Sequence, residues 1–126
     1  MYNINPQIIH KPKSKIYVCK KLQSIIDDDG NEITQYDEPI KYYFNVQPRK
    51  VKSYTEGFGQ DINAEYKIVI PQKNKYIDDF KEFDKVYFMK EPLEDEDNGE
   101  SANYYISAIE VQNVVLELYI KKIVEQ

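Results

Sequence analysis

The chain contains no tryptophan, a single cysteine, a single histidine and a single arginine. With Cys19 alone, no intrachain disulfide can form. Cys19 and His10 together are too few for the four-ligand shell of a structural zinc site. His10 is the only imidazole base on offer, and it lies between Pro6 and Pro12. A Ser–His or Cys–His nucleophilic pair therefore has poor footing, and the reading calls for no enzyme activity and no cofactor. Cys19 follows Ile16-Tyr17-Val18 and reads as a small buried residue of a strand. Long apolar runs are missing too. No stretch approaches the ~20 residues that cross a bilayer, and the first residues carry no apolar run of signal-peptide length. The expectation is a soluble protein, made in a cytoplasm and without a membrane partner. The net charge of −5 argues against a general nucleic-acid binder, which is usually basic.

A sustained 3.6-residue period is also absent. What the chain has instead is alternation and tyrosine. Twelve tyrosines and five phenylalanines suit strands, where a ring packs one face and keeps a polar tip. The length of 126 residues is that of one domain with its own core. The first 14 residues, with two prolines and scattered lysines, read as an extended arm. Residues 15–126 read as a single β-domain.

Within it, strands are predicted over Lys15–Lys20, with Leu22–Ile26 continuing past a bulge, over Glu32–Tyr36, and over Ile40–Val46. Further strands are predicted over Glu65–Ile70, Asp84–Met89, Asn103–Val111 and Asn113–Ile123. Asp29-Gly30 marks a hairpin turn, because that turn needs positive φ. Gln112-Asn113 marks a second, between the last two strands. Tyr76–Phe83 reads as a connector with a helical turn. In the last strand Val114, Leu116, Leu118 and Ile120 share one face, so half of it is expected to face the core. About seven strands joined by short turns imply an all-β, mostly antiparallel barrel or sandwich with a C-terminal hairpin.

Two segments break this regularity. Residues 48–63 hold Gly57 and Gly59, few aliphatics and no period. They could begin as a strand at Lys50–Tyr54, and the rest reads as a long loop, a feature often tied to function. Residues 91–100 hold six carboxylates in ten positions. They read as a solvated acidic loop, able to steer a basic partner. Paired catalytic carboxylates would need burial to separate their pKa values. The acidic run at Asp27–Glu32 invites a calcium loop. An EF-hand has glycine sixth and a bidentate Glu twelfth, yet counting from Gly30 puts Ile25 first and Tyr36 last. Gly57-Phe58-Gly59 lacks the strand-to-helix setting of a phosphate loop. Lys11, Lys13 and Lys15 with Tyr17 interleave base and ring as single-strand-binding surfaces do.

Three stretches together carry a family likeness. They are Asp37-Glu38-Pro39-Ile40-Lys41-Tyr42-Tyr43-Phe44-Asn45-Val46-Gln47-Pro48, then Ala64–Pro71 with Phe83-Asp84-Lys85-Val86-Tyr87-Phe88, then Tyr104–Val111 with the final strand. Their order, over residues 15–123, resembles the head-closure or head–tail joining proteins of tailed bacteriophages. The acidic segment is longer than the tight turn expected in that family, and the arm has no counterpart. The resemblance implies a small β-barrel that assembles as a homo-oligomeric ring, dodecameric in relatives, in the virion neck. One face would meet the portal or adaptor ring and the other the tail, and the free chain is compatible with a monomer. It also implies a channel loop touching the packaged DNA, here Gly57, Phe58, Gly59 and Gln60. Partner contacts are assigned to Lys11, Lys13 and Lys15 and to Glu94, Asp95, Glu96 and Asp97. Two other readings stay open: a tail terminator or tail adaptor, and a β-barrel nucleic-acid-binding module.

Overall fold

The computed structural model describes residues 12–49, 64–93 and 97–124. Six strands close into an antiparallel barrel in the order β1-β4-β5-β8-β7-β6, with β1 returning to β6. They are β1 (Ser14–Cys19), β4 (Ile40–Pro48), β5 (Tyr66–Ile70), β6 (Lys85–Phe88), β7 (Tyr104–Val111) and β8 (Leu116–Lys122). A separate two-stranded ribbon is made by β2 (Ile25–Ile26) and β3 (Glu32–Ile33). Among the described residues the one helical turn, α1, spans Lys73–Tyr76. It begins three residues before the sequence-based connector, directly behind Pro71, which ends β5. Lys73 at its start donates from Nζ to the carbonyls of Gln112 and Asn113, 3.0 Å each, and so ties the helix to the β7–β8 turn.

Alternation decides what faces inward. On β1 Ile16 and Val18 are buried in the core, on β5 Ile68 and Ile70, on β6 Val86 and Phe88, and on β8 Leu116, Leu118 and Ile120. Val114, grouped with them by alternation, precedes the strand and is exposed. Strand β7 changes phase. Ile106 pairs with Ile120 but Ala108 pairs with Tyr119, so Ser107 is an extra residue in a bulge. The bulge moves the inward positions from Tyr104 and Ile106 to Ile109.

Aromatic rings fill both ends of the barrel. At one end Tyr66, Phe88 and Tyr104 pack edge to face with centroids 4.8–5.9 Å apart. At the other, Tyr42 and Phe44 stack 5.4 Å apart and meet Tyr76 of α1 and Phe80. Each such pair adds about 0.5–1.5 kcal/mol beyond its buried area. The interior is a packed core.

Seven strands were expected; the described residues contain eight. The difference lies in the ribbon. Leu22–Ile26 does not extend β1. The chain turns away after Cys19 and pairs with its own return leg, as Asp37 N–H donates to the Lys20 carbonyl and Leu22 N–H to that of Gln35. Ile25 then pairs with Ile33, so Gln23 and Ser24 together oppose Thr34. The turn forms where the sequence places it: Gly30 has φ 84°, and the Asp27 carboxylate accepts the N–H groups of Asp29 and Asn31 at 2.9 and 2.8 Å. That use of Asp27 is a turn-forming one.

Candidate functional site

Strand directions sort the loops. Strands β1, β5 and β7 start at one end, where β4, β6 and β8 finish. The arm, the long segment 50–63 and the acidic segment therefore all attach at that end. Segment 50–63, with Gly57, Phe58, Gly59 and Gln60, for which a channel loop was expected, lies outside the described residues, as does the expected strand start at Lys50–Tyr54. So do Lys11, Glu94, Asp95 and Glu96.

The base of that long segment is described, and it is firmly built. Strands β4 and β5 pair up to Pro48 opposite Tyr66. One step further Arg49 N–H donates to the Glu65 carbonyl at 2.9 Å. The Arg49 guanidinium sits 5.1 Å from the centre of the Tyr119 ring. Glu65 N–H donates to the Ile120 carbonyl at 3.0 Å, and its carboxylate accepts Lys122 N–H at 2.8 Å. Tyr119 is itself buried on the outer face of β8, so this strand covers more than the half expected. Its hydroxyl donates to Glu117 at 2.8 Å, and burial together with that carboxylate pushes its pKa up. The fourteen residues 50–63 thus leave and return through adjacent, hydrogen-bonded positions on a rigid rim.

One residue of the acidic segment departs from its sequence reading. Glu91 and Glu100 are exposed as expected, whereas Asp97 lies against the outer wall of β6 and is 5 % exposed. The reason is Tyr87. Between the inward Val86 and Phe88, its ring points outward and needs a cover, and Asp97 supplies one. Tyr87 and Ser101 donate their hydroxyls to the Asp97 carboxylate. Leu93 N–H and Ser101 N–H donate to it as well, at 2.8 and 3.0 Å. The Tyr87 oxygen accepts Gly99 N–H at 3.0 Å. Gly99 has φ 90°, and a side chain there would press on Lys85. Burial acts to raise the Asp97 pKa, but the donors from Ser101, Tyr87 and Leu93 outweigh it and hold the carboxyl below the usual carboxylate range. Asp97 is therefore an internal anion with its acceptors filled.

Lys15 is also committed. Its ammonium pairs with Glu91, whose carboxylate accepts the Tyr17 hydroxyl at 2.9 Å as well. The shared hydrogen bonds raise the Lys15 pKa and lower that of Glu91. Lys13 remains exposed at the start of β1. Cys19 is fully buried, and desolvation, helped by the charge of Asp97, pushes its thiol up to about 12. A thiol at that value is inert at neutral pH.

Sequence reasoning missed Tyr87, Ser101 and Asn103. Asn103 extends the short β6–β7 seam, donating to the Phe88 carbonyl at 2.7 Å and accepting Phe88 N–H at 3.0 Å. The one available signal was Tyr87, an outward ring on a strand whose following segment carries a serine and several carboxylates. No protein-family model matches this chain, and no curated protein matches it significantly.

Proposed function

We propose that this chain is a structural joining subunit of a tailed-phage particle, a ring component between portal and tail that helps close the DNA exit channel. The observation that supports it most is the built base of segment 50–63. A long loop that must resist force at a channel needs a stiff rim. Here the ladder of β4 and β5, the Arg49–Glu65 bond and the Glu65–Lys122 bond supply one. The packed barrel fits the same reading, because the subunit then serves as a solid wall segment. Attachment of arm, long segment and acidic segment at one end supports a subunit with one crowded contact face.

The test is co-sedimentation of the purified protein with DNA-filled, tail-less heads of the parent phage. Saturable binding that requires the portal is the expected result. Binding to isolated tails instead would make the chain a tail-end protein, and binding to neither would overturn the virion reading. Deleting residues 55–61 is expected to leave head binding intact while the particles lose DNA. Full genome retention would remove the channel role from that loop.

A further inference from the structure

The β2–β3 ribbon is a sheet separate from the barrel. It leaves between β1 and β4, and a two-stranded ribbon on its own is marginal in water. Nevertheless it carries apolar side chains in the open. Leu22, Ile25 and Ile33 are 43, 46 and 41 % exposed, and Ile26 is 73 % exposed. The pairing places the first three on one face: Ile25 lies opposite Ile33, and the Gln23–Ser24 bulge brings Leu22 to that side. Residues 22–40 also hold six carboxylates and no basic residue. An exposed aliphatic strip on a wholly acidic ribbon asks for a partner that is apolar and basic together.

The same chain has such a surface. On the outer wall of β1 and β4, Lys15 pairs with Tyr43 and Tyr17 with Lys41 in register. Tyr43 is 54 % exposed, the most open aromatic ring among the described tyrosines. Lys41 lies 6.0 Å from its centre. Glu91 neutralises Lys15, but among the described residues neither Lys13 nor Lys41 has an ion-pair partner.

We infer that the ribbon of one copy docks on the Lys13–Lys41–Tyr43 wall of a second copy, its Leu22–Ile25–Ile33 face against Tyr43 and its acidic tip toward the lysines. The two surfaces differ, so the contact is head-to-tail, the type that generates rings or open chains rather than closed dimers. It rests on the ring reading above and names the contact that would build the ring.

Two double variants test it: Leu22→Glu with Ile25→Glu on the ribbon, and Lys41→Glu with Tyr43→Glu on the wall. Near-ultraviolet circular dichroism establishes that both fold. In sedimentation at low salt the wild-type chain is expected to grow in mass with concentration, and each variant alone to stay monomeric. Each variant keeps one sound surface. An equimolar mixture is therefore expected to form a one-to-one dimer that grows no further. A wild-type chain that stays monomeric at every concentration overturns the contact, and so does a mixture that stays monomeric. Variants that still saturate portal-bearing heads as the wild type does overturn the contact while leaving the joining role standing. Capped dimers in the mixture, together with a wild-type chain that ignores heads, sustain the contact and remove the joining role.

Discussion

Asp84 and Asp97 flank β6, one just before it and one nine residues beyond it, and both are buried: 1 and 5 % exposed. Their protonation is nevertheless driven in opposite directions. Asp84 accepts two backbone N–H groups, from Lys21 at 2.8 Å and Lys81 at 3.0 Å, and desolvation still wins, so its pKa is raised. Asp97 has two hydroxyl donors in addition to two backbone N–H groups, and its pKa is lowered. The comparison shows that burial alone does not set the direction in which a carboxyl pKa moves. The number of donors aimed at it does. It also separates two tasks. Asp97 ties the segment around it to the barrel wall, and Asp84 pins the base of the ribbon to the barrel floor.

Removing each carboxylate sharpens that contrast. Asp97→Ala strands four donors, two of them hydroxyls and one the buried Tyr87, and is expected to cost about 3–5 kcal/mol in denaturant unfolding. Asp84→Ala strands two backbone donors but also relieves an unfavourable desolvation, so its expected cost is about 1–2 kcal/mol. Its main signature should be faster amide exchange confined to residues 20–37. Equal losses for the two variants would break the comparison.

The pH dependence carries opposite signs. The Asp97 carboxyl is depressed on folding, so its contribution is present above the unfolded value near ~4 and is lost as pH falls through the folded value. The Asp84 carboxyl is raised, so its contribution is fully present below the unfolded value. It is lost as pH rises through the folded one. In unfolding free energies measured across acidic pH, Asp97→Asn is expected to flatten the acid-side fall. Asp84→Asn is expected to remove a decline on the higher-pH side. The smallest effect is expected from Lys15→Met. It breaks an ion pair in solvent, and such pairs contribute little. Its thermal midpoint should match the wild type, and a marked drop would show that Glu91 helps hold the chain that follows β6.

Much of the barrel was legible along the chain. Ile16 and Val18, Ile68 and Ile70, and Leu116, Leu118 and Ile120 alternate strictly, and each set faces the core as alternation requires. Gly30 in its aspartate run turned where positive φ is needed. The Ser107 bulge was not legible, because an extra residue in a ladder shows only against its partner strand. The separate ribbon was hidden for a related reason. Leu22–Ile26 looks like a continuation of β1 until the return leg competes for its backbone. Among the site residues, Lys13 was found exposed, whereas Lys15 and Asp97 proved to be engaged within the chain. Charge density cannot distinguish a solvated carboxylate from one whose donors arrive from a strand ten residues away.

By itself the sequence determined an all-β chain, its turns and most of its inward faces, because alternation and turn chemistry act between near neighbours. Only the tertiary structure decided that the barrel closes through β1 and β6. It alone decided that Asp97 lies against Tyr87, and that Arg49 and Glu65, on either side of residues 50–63, are hydrogen-bonded to each other. Those outcomes depend on hydrogen bonds between groups far apart in the chain, and no local pattern records them.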